Sequence, residues 1–186
     1  MKNYDEKFAE MIKVKNSMSG VQEFIDHTTN LVLEAFDKGC KIIFCGNGGS
    51  AADSIHIAAE FTGRFKRMRR SLPALSLTSD IAAVTAIGND YGFDSVFARQ
   101  FEGLGKPGDI LFCLSTSGKS KNVINAAITA KQIGAASVCL SGGNGGDLVS
   151  VCDYQYVVPS SNTAIIQEFH MSFLHQICAN VDETLT

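Results

Sequence analysis

At 186 residues, 45% of them hydrophobic, the chain is long enough to bury a core without covalent cross-links. A net charge of only -3 excludes a general electrostatic attraction to nucleic acid or anionic lipid, so any partner must be recognised locally. The charged, amphipathic opening MKNYDEKFAE lacks the apolar segment of a secretion signal, and no apolar run has the length of a membrane span, so a cytoplasmic protein is expected.

From about Asp5 to Lys38, apolar residues recur at three- and four-residue spacing: Phe8, Met11 and Ile12, then Val21, Phe24, Ile25, Leu31, Val32, Ala35 and Phe36. This predicts one or two amphipathic helices broken near Ser19-Gly20. Lys41 to Gly46 is a continuous apolar run ending in glycine-rich sequence, the pattern of a strand buried on both faces. Similar runs follow at Leu72 to Thr78, Asp109 to Ser115, Ala136 to Ser141 and Tyr154 to Pro159. Helical patterns separate them: Ser50 to Gly63, about Ile81 to Gly103 in two pieces, Ser120 to Gly134, and a closing helix from about Asn162 to Leu185. The alternation predicts an α/β fold, a three-layer αβα sandwich on a parallel sheet of five strands, preceded by an N-terminal amphipathic helix over 1–38. No linker or low-complexity tract interrupts it, so one domain over 1–186 is expected, with ligands at the carboxyl ends of the strands. The six cysteines form no C-x-x-C pair and sit mostly in apolar runs, as reduced core residues do.

Two loops have the composition of ligand sites. Gly46-Asn47-Gly48-Gly49-Ser50 joins a strand to a helix, and its small residues let backbone N–H groups approach an anion or a sugar hydroxyl; a tight turn would read the same way. Its spacing is not the dinucleotide fingerprint, which disfavours a nicotinamide cofactor. The second, Ser115-Thr116-Ser117-Gly118-Lys119-Ser120, places four hydroxyls at another strand-to-helix junction, where free N–H groups favour a phosphate. It lacks the Walker spacing, so ATP binding does not follow; a helix cap is the plainer reading, although a cap needs one hydroxyl and not four.

In the helix after the first loop, His56 and Glu60 are four residues apart and leave the same face, as a metal pair, a polarised acid/base pair or an exposed ion pair would. The closing helix carries Gln167, Glu168, His170 and His175. Gln167 and His175, eight apart, project in neighbouring directions, whereas Glu168 turns away and His170 fits that face less well.

Taken together, these segments carry a resemblance. The Gly-Asn-Gly-Gly-Ser loop followed by Ser-Thr-Ser-Gly-x-Ser resembles the SIS, or sugar isomerase, domain, in which the hydroxyl loop grips a substrate phosphate. Asn47 through Glu60, Ala86-Ile-Gly-Asn-Asp-Tyr-Gly-Phe93 and Gln167-Glu-x-His-x4-His175 resemble the phosphoheptose isomerases over nearly the whole chain. The resemblance implies substrate contacts at Asn47, Gly48, Gly49, Glu60, Asn89, Asp90, Ser115, Thr116, Ser117, Ser120 and Gln167. It also implies a zinc ion on His56, Glu60, Gln167 and His175, Glu60 as catalytic base and His175 as acid. The implied reaction interconverts sedoheptulose 7-phosphate and D-glycero-D-manno-heptose 7-phosphate through an enediol, and the implied assembly is a homotetramer.

One departure stands in the closing helix, where the family usually has Arg and this chain has Ile165. The segment Arg64-Phe-Lys-Arg-Met-Arg-Arg70 is the one basic cluster; a solvated loop explains it better than nucleic-acid binding, and Arg64 follows a pattern that approaches the active site in the isomerases. The rival class is a non-enzymatic SIS protein that binds a replication initiator. Those relatives lack the catalytic Glu and the terminal His that stand here as Glu60 and His175.

Overall fold

The computed structural model describes residues 3–185. Two helices come first, α1 (Tyr4–Ser17) and α2 (Val21–Asp37), and the break predicted near Ser19-Gly20 is made by Gly20 in the left-handed region, φ 68°. Then follow β1 (Ile42–Gly46), α3 (Gly49–Thr62), β2 (Ala74–Ser76), α4 (Ile81–Tyr91), α5 (Val96–Leu104), β3 (Ile110–Ser115), α6 (Lys121–Ile133), β4 (Ala136–Gly142), β5 (Tyr154–Val158) and α7 (Thr163–Thr184). All five strands are parallel, in the order β2-β1-β3-β4-β5.

Alternation along the strands sorts the core into two layers. Ile42, Phe44, Ile110, Phe112, Leu114, Val138 and Leu140 face α2, α3 and α7, whose Val32, Ile57, Phe61, Ile166 and Leu174 complete that cluster. Ile43, Cys45, Leu111, Cys113 and Cys139 face α5 and α6. Because both faces are covered, β1 and β3 are buried along their whole length, which is why they read as unbroken apolar runs. Phe44 stacks on Phe112 with ring centroids 4.8 Å apart and also meets Phe61. Burying such a ring contributes roughly 2–3 kcal/mol.

The predicted strand Leu72 to Thr78 is shorter than expected, covering only Ala74–Ser76. Pro73 has no N–H for a ladder, and the N–H of Leu72 turns back to the carbonyl of Phe61 at the end of α3. The piece 81–103 does divide in two, but α4 buries none of its residues and leaves Ile81, Tyr91 and nearby Phe93 exposed. Ile165 is fully buried in the α2/α3/α7 cluster, a position that an apolar side chain suits without a charge partner.

Candidate functional site

The carboxyl ends of β1 and β3 deliver the two predicted loops. At the first, α3 begins so close to α7 that a Cβ on Gly49 would lie 2.3 Å from the Nε2 of Gln167. Only glycine admits the Gln167 amide at that point, so the loop and the closing helix are joined there. At the second, Gly118 has φ +63°, and a Cβ on it would overlap the carbonyl of Gly145, so the β3–α6 loop and the loop after β4 lie in backbone contact.

That contact shapes a cavity of about 250 Å³ whose walls include Thr116, Ser117, Lys119, Gly143, Asn144 and Ser160. Ser115, in the same loop, is buried, and its hydroxyl lies 3.1 Å from that of Ser120. Ser120 precedes α6, makes no capping bond to it, and leaves the first N–H groups of the helix available to an anion. Asn47 and Asn122 exchange two amide hydrogen bonds of 2.8 and 2.9 Å, tying the β1–α3 loop to the first turn of α6. Asn122 is buried and was not found from the sequence; its place beside the hydroxyl loop was the only signal for it.

On the α3/α7 side, His56, Glu60 and His175 converge. One ligand atom from each lies within 4.8 Å of the others. His56 Nε2 is 3.2 Å from Glu60 Oε1, and the His56 and His175 rings meet edge to face with centroids 5.2 Å apart. Two imidazoles and a carboxylate, with one side open, are a donor set that suits a divalent metal ion. Burial holds the His175 imidazole below its ordinary range; His56 and Lys66 push the same way, and Glu60 opposes them. Asp53 stands one turn before His56. Burial raises its carboxyl, His56 lowers it, Glu168 raises it, and its Oδ2 is buried without a hydrogen-bond partner among the described residues.

A loop meets the trio at His175. Phe65 lies flat against His175, with centroids 5.3 Å apart, and both line a cavity of about 440 Å³ with Lys66, Glu168, Ser172 and Gln176. The loop is held by Asp182 near the end of α7, which accepts the N–H groups of Lys66 and Arg67 at 2.8 and 3.0 Å and the guanidinium of Arg69 at 2.6 Å. Arg69 also donates to the carbonyls of Glu60 and Phe61. Burial raises the Asp182 carboxyl, but these bonds outweigh it and leave it below the ordinary carboxylate range. The basic cluster is therefore not wholly solvated. Arg69 is buried and structural, whereas Arg64 is exposed.

The predicted residues thus fall into groups. His56, Glu60 and His175 meet; Gln167 lies against Gly49; Thr116 and Ser117 line the small cavity with the loops after β4 and β5, whereas Ser115 and Ser120, in the same loop, do not line it and face each other. Asn89 and Asp90 sit exposed at the end of α4, joined to each other by a 2.8 Å hydrogen bond and, among the described residues, to none of the other predicted contacts. His170 is buried with Nε2 3.0 Å from the Ser141 carbonyl, a structural role that fits its place off the Gln167/His175 face.

The SIS domain family model matches residues 6–142, a segment that ends inside the sheet, at the last residue of β4. A phosphoheptose isomerase of Campylobacter concisus is 49% identical over 180 residues, covering 91% of this chain and 95% of that protein. The solved structure of a phosphoheptose isomerase from Neisseria gonorrhoeae superposes with a TM-score of 0.88 at 40% identity, covering 96% of each chain. One from Francisella tularensis gives 0.89 at 34% identity, over 97% of this chain and 95% of that one.

Proposed function

Since the chain belongs to the phosphoheptose isomerases of the SIS domain family, we propose that it interconverts sedoheptulose 7-phosphate and D-glycero-D-manno-heptose 7-phosphate, supplying heptose to surface glycans. The observation that carries the proposal is the meeting of Glu60 with His56 and His175, from helices remote in sequence, on a fold whose strand ends also present a hydroxyl-lined cavity.

The 7-phosphate is held by the loop of Ser115, Thr116, Ser117 and Ser120, where the hydroxyls and the α6 N-terminus supply donors beside the cavity that Thr116 and Ser117 line. Asn47, Gly48, Gly49, Gln167, Asn89 and Asp90 take the sugar hydroxyls. In the ketose the carbonyl is at C2 and the mobile hydrogen is on C1. Glu60 takes the C1 proton and returns it to C2, while His175 gives a proton to O2 and takes one from O1, so that an aldehyde is left at C1. A neutral imidazole suits that exchange, and burial holds His175 in that form. His56, Glu60, Gln167 and His175 would hold zinc, which when bound supplies electrostatic stabilisation of negative charge on the two reacting oxygens. As a carboxylate that ligates is a weaker base, the two roles of Glu60 alternate. A cytoplasmic homotetramer of one-domain subunits completes the reading; the exposed apolar residues of α1 and α4, Phe8, Ile12 and Ile81, support it.

The test is direct. Purified protein is incubated with sedoheptulose 7-phosphate, with chelator or with added zinc, and the aldose is followed by NMR. Aldose formation that chelator suppresses and zinc restores is expected; no aldose under any of these conditions overturns the proposal.

A further inference from the structure

On the sheet face covered by α5 and α6, three cysteines occupy one rung, Cys45 in register with Cys113 and Cys113 with Cys139. Residues in register on neighbouring parallel strands point to the same face, and all three are fully buried in one apolar cluster. Cys152, on the turn that leads into β5, packs against that cluster but is only partly buried. Its side chain lies close enough to those of Cys113 and Cys139 to interact with both. The turn is clasped in place next to it, since Asp153 Oδ2 accepts the N–H and the hydroxyl of Ser137, both at 2.8 Å, and the Asp153 N–H donates back to Ser137 at 3.1 Å.

We propose that Cys152 is an oxidative modification site, attacked by a hydroperoxide and resolved as an intramolecular disulfide by the adjoining thiol of Cys113 or Cys139. The arrangement is that of a thiol in reach of solvent packed against the cluster that holds its resolving partners. Hydrogen bonds from Cys113 and Cys139 lower the Cys152 thiol, against the opposing effect of burial, while the same bonds raise Cys113 and Cys139. Thiolate character is thereby favoured on the sulfur that peroxide reaches.

In the first step the Cys152 thiolate attacks the terminal oxygen of the hydroperoxide, the O–O bond breaks, and an alkoxide or hydroxide leaves; sulfur gains OH and the peroxide is reduced by two electrons. In the second, the partner thiol attacks the sulfenyl sulfur, the S–O bond breaks, and the thiol proton departs with the hydroxyl as water. Cys40, the other partly buried cysteine, is the internal control. Its sulfur faces the carbonyls of Lys38 and Pro107 at 3.9 and 3.8 Å, neighbours that offer no resolving thiol.

The experiment treats the purified protein with hydrogen peroxide, traps sulfenic acid with dimedone, and maps cysteines by mass spectrometry after combined cleavage at Lys or Arg and before Asp, which separates Cys113, Cys139 and Cys152 onto different peptides. Cys152 should be consumed about tenfold faster than Cys40, with a disulfide to Cys113 or Cys139. The Cys113→Ser/Cys139→Ser double variant should accumulate the dimedone adduct on Cys152, and Cys152→Ser should form no disulfide within the cluster. Equal or faster loss of Cys40 in the unaltered protein overturns the proposal and needs no variant to fold; so do unchanged cluster disulfides in Cys152→Ser.

Discussion

Phe65 lies parallel to His175, their ring planes 9° apart, although the two residues belong to different elements and Phe65 stands on a loop with no regular structure. A ring laid flat on an imidazole limits its rotation and excludes water from one side. Replacing Phe65 by Ala should leave the fold standing and lower kcat about tenfold, a change that steady-state kinetics would read beside a melting temperature within a few degrees of the parent. An unchanged kcat would show that the stacking does not position the imidazole.

What keeps Phe65 there is the buried pair of Arg69 and Asp182, each almost wholly removed from solvent. Removing one partner of such a pair leaves a charge buried and unpaired, which costs roughly 3–5 kcal/mol. Asp182→Ala should therefore shift the urea midpoint strongly and weaken catalysis as the loop detaches. Lys7→Ala, which breaks the exposed pair with Glu168, should cost less than about 1 kcal/mol in the same assay.

Glu60→Gln keeps the shape of the side chain while removing its basicity. Turnover should fall by about a thousandfold or more, with circular dichroism and melting temperature close to the parent. Activity within a few-fold of the parent would refute Glu60 as the base.

Gly49→Ala places a methyl group where the Gln167 amide now lies. The end of Gln167 is flexible and must move, so the fold should survive while kcat/KM falls roughly ten- to hundredfold. Cutting Gln167 back to Ala in the same chain should then add little further loss; additive losses would show that the two residues act separately.

Stability should fall with acid through His170. Its Nε2–H donates to the Ser141 carbonyl, Nδ1 is buried with no partner among the described residues, and burial pushes the imidazole down to about 4 from an ordinary 6.5. The unfolded chain takes up this proton from pH 6.5 downward and the folded chain does not until about pH 4. The contribution is therefore complete above pH 6.5 and lost as pH falls to 4, about 3 kcal/mol in all. Urea unfolding of the parent and of His170→Gln across that range should show the slope in the parent alone.

Much of this architecture was legible in the sequence because a doubly covered parallel sheet imposes a distinctive pattern, unbroken apolar strands alternating with periodic helices. The meeting of His56, Glu60 and His175 was legible only through resemblance, since spacing within a helix says nothing about which other helix it faces. Asp182 escaped notice for the same reason: a carboxylate in the last turn of a helix carries no local signal, and the groups of Lys66, Arg67 and Arg69 that donate to it lie 113 to 116 residues away. The early end of β2 was hidden by hydropathy, which reports that Leu72 is buried but not that its N–H bonds to a helix. Arg69 looked like its exposed neighbours, because a charge run shows where cations are but not which of them turns inward.

The exchange of amide bonds between Asn47 and Asn122 contains no formal charge. Salt and pH within the physiological range have no purchase on it, so the β1–α3 loop and the first turn of α6 stay tied under conditions that would loosen an ion pair. Under the function proposed above, the loop that meets Gln167 and the loop that carries the hydroxyls keep their relation through changes that would separate charged partners.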